Sequence, residues 1–137
     1  VRSGLSAPYP GDFYDPDQTG IKGKEIMEEK LRQLQLIQLE ILKFFDNFCR
    51  EHNLKYSLYA GSLLGAIRHH AFIPWDDDLD VCMSRFEYDR FIALWNQSPP
   101  GGYILQNKEN SPGYWQSFSK IRKDHGITVS NSTSRIN

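Results

Sequence analysis

Residues 55–83 read KYSLYAGSLLGAIRHHAFIPWDDDLDVCM, and this stretch decides the fold. Residues 55–60 are aromatic and rich in strand formers, which predicts a short buried strand. The chain then runs directly into Gly61 and Ser62, and residues 62–69 have the apolar pattern of a short helix with Ser62 as its N-cap. Pro74 ends any helix, and the second half of the following acidic segment alternates as a strand does. The predicted order is strand, Gly-Ser turn, helix, acidic strand.

Two longer amphipathic helices flank this stretch. Residues 22–53 place apolar side chains every three or four positions, which predicts a long helix packed on the core of its own domain. The polar Gln38 interrupts its apolar stripe, which disfavours a coiled coil. Ser84 and Glu87 have the spacing of a capping box, so a second helix should begin there.

The remaining segments complete an α+β domain. Residues 103–106 and 116–122 predict two further strands. Residues 1–20 are rich in Pro and Gly without periodicity, which predicts an irregular N-terminal arm, so that residues 21–137 form the domain. A chain of 137 residues can bury a core of its own.

Composition excludes several classes of protein. The net charge of −1 gives no overall field for a polyanion, so we expect no nucleic-acid partner. We also expect no membrane span, because no apolar run approaches the roughly 20 residues that a bilayer requires, and we expect no secretory signal. The two cysteines, Cys49 and Cys82, are predicted to be reduced core residues without a chemical role.

The most unusual feature is a set of four aspartates within residues 76–80. If this segment is extended, Asp76, Asp78 and Asp80 project from one face of the strand. Adjacent carboxylates repel each other, and Mg²⁺ or Mn²⁺ is the simplest compensating charge because hard cations prefer oxygen ligands. A solvated acidic turn is the alternative, but the neighbouring Leu79 and Val81 connect the cluster to a buried strand.

A calcium-binding EF-hand is a second alternative reading of the acids. Acidic and hydroxyl side chains at 76, 78, 80, 84 and 87 match five ligand positions of that loop. The match fails at Val81, where the sharp turn of the loop requires Gly, and at Pro74, which lies in what would be the incoming helix. The sequence therefore disfavours an EF-hand.

Gly61 and Ser62 form the second half of a possible site. Glycine permits close backbone approach, and free amides at the start of a helix favour an anion such as phosphate. A Gly-Ser pair alone is weak evidence. Followed by a strand with Asp78 and Asp80, it gives the arrangement of a nucleotidyltransferase-type site, in which one part binds phosphate and the other binds metal.

Residues 59–70 (YAGSLLGAIRHH) and 72–81 (FIPWDDDLDV) strongly resemble the LicD family, and the resemblance covers residues 25–125. That family includes bacterial phosphocholine transferases and, more distantly, fukutin-type ribitol-phosphate transferases. The resemblance implies a nucleotidyltransferase-like fold with a mixed sheet and flanking helices. It also implies transfer of a phospho-alcohol group from CDP-choline or another CDP-alcohol to a glycan hydroxyl, as in modification of lipopolysaccharide or teichoic acid. The implied location is the bacterial cytoplasm or, in a eukaryote, the Golgi lumen.

The resemblance also assigns roles to residues of the two motifs. Asp76, Asp78 and Asp80 are the implied metal-binding acids, with Asp78 and Asp80 as the catalytic residues. From the chemistry of phosphoryl transfer, Asp80 is the aspartate that we expect to accept the proton of the acceptor hydroxyl. Gly61 and Ser62 are the implied phosphate-binding turn.

Basic and aromatic side chains are further candidates. Arg68 matches the motif arginine and is expected to contact phosphate, as are Lys120, Arg122 and Lys123, the densest basic group of the chain. For each of these, ordinary surface solvation is an equally good interpretation. Trp75 is expected to pack beneath the acidic segment 76–80, and stacking on a nucleotide base is the alternative.

The sequence departs from the family at its C-terminal end. Members usually continue with a further acidic strand, in a pattern like Phe-Ile-Asp-Ile-Phe-Pro, which is not found before Asn137. We therefore expect residues 21–137 to be the first part of a larger catalytic domain, which a homo-oligomer or a partner chain could complete. A non-catalytic metal- or nucleotide-binding module and an Asp-x-Asp nucleotide-sugar glycosyltransferase remain alternatives.

Overall fold

The computed structural model describes residues 2–3 and 21–124, and the elements of this part are three helices and five short strands. The helices are α1 (Ile21–Glu51), α2 (Ala60–Arg68) and α3 (Arg85–Gln97). The strands are β1 (Arg2–Ser3), β2 (Ser57–Leu58), β3 (Leu79–Cys82), β4 (Tyr103–Gln106) and β5 (Lys120–Lys123). The predicted α+β class is confirmed.

The strands form one mixed sheet in the order β2-β3-β1-β5-β4. The β1–β5 pair is parallel, and the other neighbours are antiparallel. Arg2 is in register with Asp80 on one side and with Lys120 on the other. The acidic strand β3 therefore lies between β2 and β1, with β2 leading directly into α2.

β1 corrects one prediction, because Arg2–Ser3 belong to a strand and not to an irregular arm. Strand pairing uses the backbone, and two residues are too few for a side-chain pattern to reveal it. The rest of the predicted arm, residues 4–20, and the polar segment 125–137 lie outside the described residues. The strands predicted over 55–60 and 116–122 are also shorter or displaced, at Ser57–Leu58 and Lys120–Lys123.

The core joins one face of α1 to α3 and to the inward side chains of the sheet. Phe45 packs edge-on against Phe91, with ring centroids 5.5 Å apart, and Phe44 stacks on Tyr103 at 3.7 Å. Fully burying a side chain of this size stabilises a fold by about 1.5–3 kcal/mol. The buried apolar set is Ile41, Phe45, Phe48, Cys49, Leu54, Leu79, Val81, Phe91, Trp95, Leu105 and Ile121. This cluster fixes β3, and with it the acidic segment, relative to α1.

The two cysteines have different environments. Cys49 is buried in the core as predicted, and burial raises the pKa of its thiol to about 12. Cys82 is exposed, so its predicted core position is wrong. It is the last residue of β3 and alternates with buried Val81, which places its side chain on the opposite face of the sheet.

Within residues 2–3 and 21–124, no helix is both long and apolar enough to cross a membrane.

Candidate active site

The turn between β2 and α2 is sharp. β2 ends at Leu58 and α2 begins at Ala60, which adopts a left-handed φ of 48°. That conformation is unfavourable for a residue with a Cβ, and such strain clusters at functional sites. The helix starts two residues earlier than predicted, because the N-cap is Tyr59, whose side chain makes no capping hydrogen bond. The predicted N-cap role of Ser62 is therefore wrong.

Ser62 instead connects α2 to the acidic strand. Its hydroxyl Oγ accepts a hydrogen bond from the backbone N–H of Asp80 at 2.8 Å. The carbonyl of Asp80 accepts from the N–H of Tyr59 at 3.0 Å. Both backbone groups of Asp80 are thus held by the segment that opens α2. The Gly-Ser turn and the acidic strand, which the sequence predicts to be neighbours, are brought together.

Gly65 allows the backbone of residues 71–73, which leads from α2 to the aspartates, to pack closely against the helix. A Cβ at this position would lie 2.6 Å from the carbonyl oxygen of Ala71 and 2.9 Å from the N atom of Ile73. The carbonyl of Gly65 accepts from the N–H groups of His69 and Ala71, which closes the end of the helix. A glycine that seems to weaken the helix in the sequence therefore has a packing role.

The acidic segment 76–80 begins in a turn, before β3. The N–H of Asp76 donates to the carbonyl of Ile73 at 3.0 Å, and Oδ1 of Asp76 accepts from the N–H of Asp78 at 3.2 Å. A Cβ on Gly61 would lie only 2.5 Å from Oδ2 of Asp76. The carboxylate of Asp76 thus occupies the space that a side chain at Gly61 would need.

Asp76 and Asp80 line different concavities of the structure. Because β3 begins only at Leu79, Asp76 and Asp78 precede the strand. Asp76 lines a mainly apolar cavity of about 460 Å³ beside Gly61, whereas Asp80 lines a groove of about 630 Å³ with Tyr59, Arg85, Tyr88 and Ser119 among its walls. The prediction that Asp76 shares one face with Asp80 is wrong, because the turn before Asp78 breaks the alternation. No group of three His, Cys, Asp or Glu side chains suited to a metal is found among the described residues.

Two buried glutamines of α1 contact the acidic turn. Nε2 of Gln35 donates to the carbonyls of Ile73 and Asp76 at 3.3 Å and 2.9 Å. Nε2 of Gln38 donates to the carbonyl of Asp77. Sequence reasoning missed both residues, although a polar Gln38 inside an apolar stripe was a signal for a buried polar contact.

The basic candidates lie at varied distances from the acids. Arg68 is exposed in the last turn of α2, roughly 10 Å along the helix axis from Gly61. Lys120 is two strands from Asp80 across β1, so their backbones are roughly 10 Å apart. Arg122 lies one pleat further along β5, on the same face as Lys120. Lys123 forms an ion pair with Glu40 of α1, which raises the pKa of Lys123 and lowers that of Glu40.

Trp75 does not pack beneath the acids. Its side chain is 77% exposed, because Pro74 and Trp75 form the outer end of the turn. The described ring contact of Trp75 is with His69, edge-on with centroids 6.3 Å apart. The predicted packing role of Trp75 is therefore wrong.

The comparison with protein families matches residues 53–135 to the family described as "LicD/FKTN/FKRP, nucleotidyltransferase domain". The matched region contains the Gly-Ser turn, the acidic segment and the basic strand β5. The comparison with solved structures found no match.

Three curated proteins are similar to parts of the chain. One, from Haemophilus influenzae, is named lipopolysaccharide cholinephosphotransferase LicD and is 48% identical over 80 residues, which are 58% of this chain and 30% of that protein. An uncharacterized protein of Rickettsia typhi is 34% identical over 89 residues, 65% of this chain and 28% of its own length. Another, from Rickettsia prowazekii, is 44% identical over 50 residues, 36% of this chain and 18% of its own. The chain thus spans 30% or less of the length of these relatives.

Proposed function

The chain belongs to the LicD/FKTN/FKRP family of nucleotidyltransferase domains, and we propose that it is part of a transferase that moves a phospho-alcohol group from a CDP-linked donor to a glycan hydroxyl. Phosphocholine is the proposed group, because the Haemophilus influenzae relative is named a cholinephosphotransferase of lipopolysaccharide. A location in the cytoplasm of a bacterium stays a prediction.

The connection between Ser62 and Asp80 carries this proposal. The hydroxyl of Ser62 holds the backbone N–H of Asp80 at 2.8 Å, so the start of α2 and the acidic strand form one unit. The start of a helix favours phosphate, and carboxylates favour a cation that neutralises phosphate. Phosphoryl transfer depends mainly on such positioning and charge neutralisation, so a unit of this kind fits the reaction.

The carboxylates fit a Mg²⁺ or Mn²⁺ ion if the donor supplies part of its coordination. Mg²⁺ in phosphoryl-transfer sites often uses only one or two protein carboxylates, with waters and substrate phosphates as the other ligands. Asp78 and Asp80, which lie two residues apart at the start of β3, would hold the ion. When bound, it would neutralise the diphosphate and the charge that develops on the leaving CMP. For Asp76 we propose a different role, closing the turn through its hydrogen bond with Asp78.

The side chains of the site have distinct roles in this reaction. The backbone at Gly61, at the start of α2, binds the donor phosphate. The N–H of Ser62 already donates to the carbonyl of Tyr59 at 3.2 Å, so Ser62 acts through its hydroxyl on Asp80. The acceptor hydroxyl attacks the phosphorus atom bonded to the alcohol oxygen, so a new P–O bond forms and the P–O bond to CMP breaks. A carboxylate oxygen of Asp80 accepts the hydroxyl proton. Arg68, Lys120 and Arg122 provide positive charge for the diphosphate.

Donor assays with the full-length protein test this function. We expect CMP release from CDP-choline or another CDP-alcohol in the presence of Mg²⁺, and loss of release when Asp78 and Asp80 are both replaced by Asn. Binding of Mn²⁺ and cytidine diphosphate without release from any donor would support a binding module instead. Turnover of a nucleotide sugar, with CDP-alcohols unreactive, would support a glycosyltransferase.

A further inference from the structure

Two glutamines are buried on the face of α1 that packs against the acidic turn. The side chain of Gln35 is 4% exposed and that of Gln38 is 0% exposed. Together they donate three hydrogen bonds, to the carbonyls of Ile73, Asp76 and Asp77. The carbonyl oxygen of Gln35 accepts from Arg32 at 3.5 Å, which is consistent with its Nε2 facing the turn.

Packing of the core alone does not explain an amide at position 38. The same face of α1 carries the buried apolar Ile41 and Phe45, so an apolar side chain at position 38 would continue the core. Oε1 of Gln38 is buried and has no hydrogen-bond partner within the described part of the chain. A buried acceptor without a partner is destabilising, because it has lost its hydrogen bonds with water. The amide of Gln38 is thus retained at a cost to the core.

The three carbonyl groups that accept these hydrogen bonds belong to the backbone of the turn that precedes Asp78. The carbonyls of Asp76 and Asp77 belong to the two peptide units directly before Asp78, the first acid that we assign to the ion. The carbonyl of Ile73 lies at the start of the same turn, and it also accepts from the N–H of Asp76. Because α1 is anchored in the core, its glutamines fix the distance between a rigid helix and the carboxylates.

We propose that Gln35 and Gln38 are positioning residues, which hold the backbone of residues 73–77 so that Asp78 and Asp80 are placed for catalysis. This inference rests on the proposed transferase function. Residues that orient the ligands of a metal site act through those ligands. Mutation of such an orienting residue typically lowers activity or metal affinity by about 10- to 100-fold.

Substitution by Met tests the proposal, since Met keeps much of the volume and removes the donor. Gln35→Met and Gln38→Met should lower kcat for CMP release by about 10- to 100-fold. Each variant also removes the donor to one or two turn carbonyls, so the free energy of unfolding should fall modestly while the protein stays folded. The matched control is Gln33→Met on the exposed face of α1, where the amide donates to Glu29, and its kcat should equal that of the wild type. Unchanged kcat in both buried variants would overturn the proposal.

Hydrogen exchange separates failure of this inference from failure of the proposed function. The N–H groups of Asp78 and Asp80 are hydrogen-bonded to side chains of the site, and their exchange should accelerate in the buried-glutamine variants while core amides of α1 keep their rates. If the wild type proves inactive on every donor, the same local acceleration still supports positioning, and equal exchange at Asp78 and Asp80 overturns it. If a variant loses protection throughout α1, the glutamines serve the stability of the fold, and the proposal is overturned.

Discussion

Replacement of Gly61 by Ala should damage the site while leaving the fold intact. The new Cβ would lie 2.5 Å from Oδ2 and 3.6 Å from Cγ of Asp76, and the first distance is too short for any contact. The φ of Gly61 is not in the left-handed region, so the backbone can accept Ala. The carboxylate of Asp76 must therefore rotate away, which releases the N–H of Asp78 from Oδ1.

The expected magnitudes follow from these contacts. Overpacking costs about 1–3 kcal/mol, and the change from Gly to Ala in a helix returns about 1 kcal/mol. The free energy of unfolding should therefore fall by only about 0–2 kcal/mol. Activity is more sensitive, because a displacement of about 1 Å at a reacting group can cost about 100-fold in rate. We expect kcat for CMP release to fall by that order.

Urea unfolding and CMP release measured on the same preparations provide the assay. Gly101→Ala is the control, since a Cβ there meets nothing within 4 Å, and it should change neither quantity. Asp76→Ala removes the clashing carboxylate, so Gly61→Ala should cost less stability in that background. Wild-type activity in Gly61→Ala, or the same stability loss with and without Asp76, would refute the reasoning.

Three further predictions concern stability and reactivity. Gly65→Ala should lower the free energy of unfolding in urea by more than Gly61→Ala does, with the same helix gain of about 1 kcal/mol included. Its Cβ would lie 2.6 Å from the backbone oxygen of Ala71, which cannot rotate away; a smaller loss than in Gly61→Ala would contradict this. An alkylating reagent at pH 8 should label the native protein at the exposed Cys82 and spare Cys49, whose thiol pKa burial raises to about 12; native labelling of Cys49, seen by mass spectrometry, would contradict it. Hydrogen bonds from Arg50 and Tyr56 hold the pKa of Asp46 below its usual value. Asp46→Asn should therefore lower the stability of the protein at pH 7, and the difference from the wild type should shrink as the pH falls below about 4 and Asp46 becomes protonated. A stability difference in thermal unfolding that persists at pH 2 would count against it.

The helices could be predicted because side-chain periodicity determines them locally. The long helix predicted over residues 22–53 is α1 at Ile21–Glu51, since its apolar stripe repeats over many turns. Ser84 is confirmed as the N-cap of α3, since its Oγ accepts a hydrogen bond from the N–H of Glu87, while the carboxylate of Glu87 accepts from Arg90. The strand predicted over 103–106 is β4. Each of these features depends on residues close together in the sequence.

The features that prediction missed depend on contacts between distant segments. The strand Arg2–Ser3 exists through backbone pairing with β3 and β5, which no local pattern reveals. Ser62 bonds to Asp80, 18 positions away, and so does not cap its own helix. Gln38 bonds to Asp77, 39 positions away, and its polar character signals a buried contact without identifying the partner. The sequence singled out the motif residues, whose roles in a site stay predictions, whereas their relative orientation could not be predicted.

The most direct test of the transferase proposal measures both products of the reaction at once. The full-length protein is incubated with CDP-choline, Mg²⁺ and a glycan acceptor. The mass of the acceptor is measured by mass spectrometry, and the released CMP is quantified. We predict one phosphocholine gained by the acceptor for each CMP released, and loss of both products in Asp80→Asn but not in the exposed control Glu51→Gln. CMP release without modification of the acceptor, or full transfer by Asp80→Asn, would contradict the proposal.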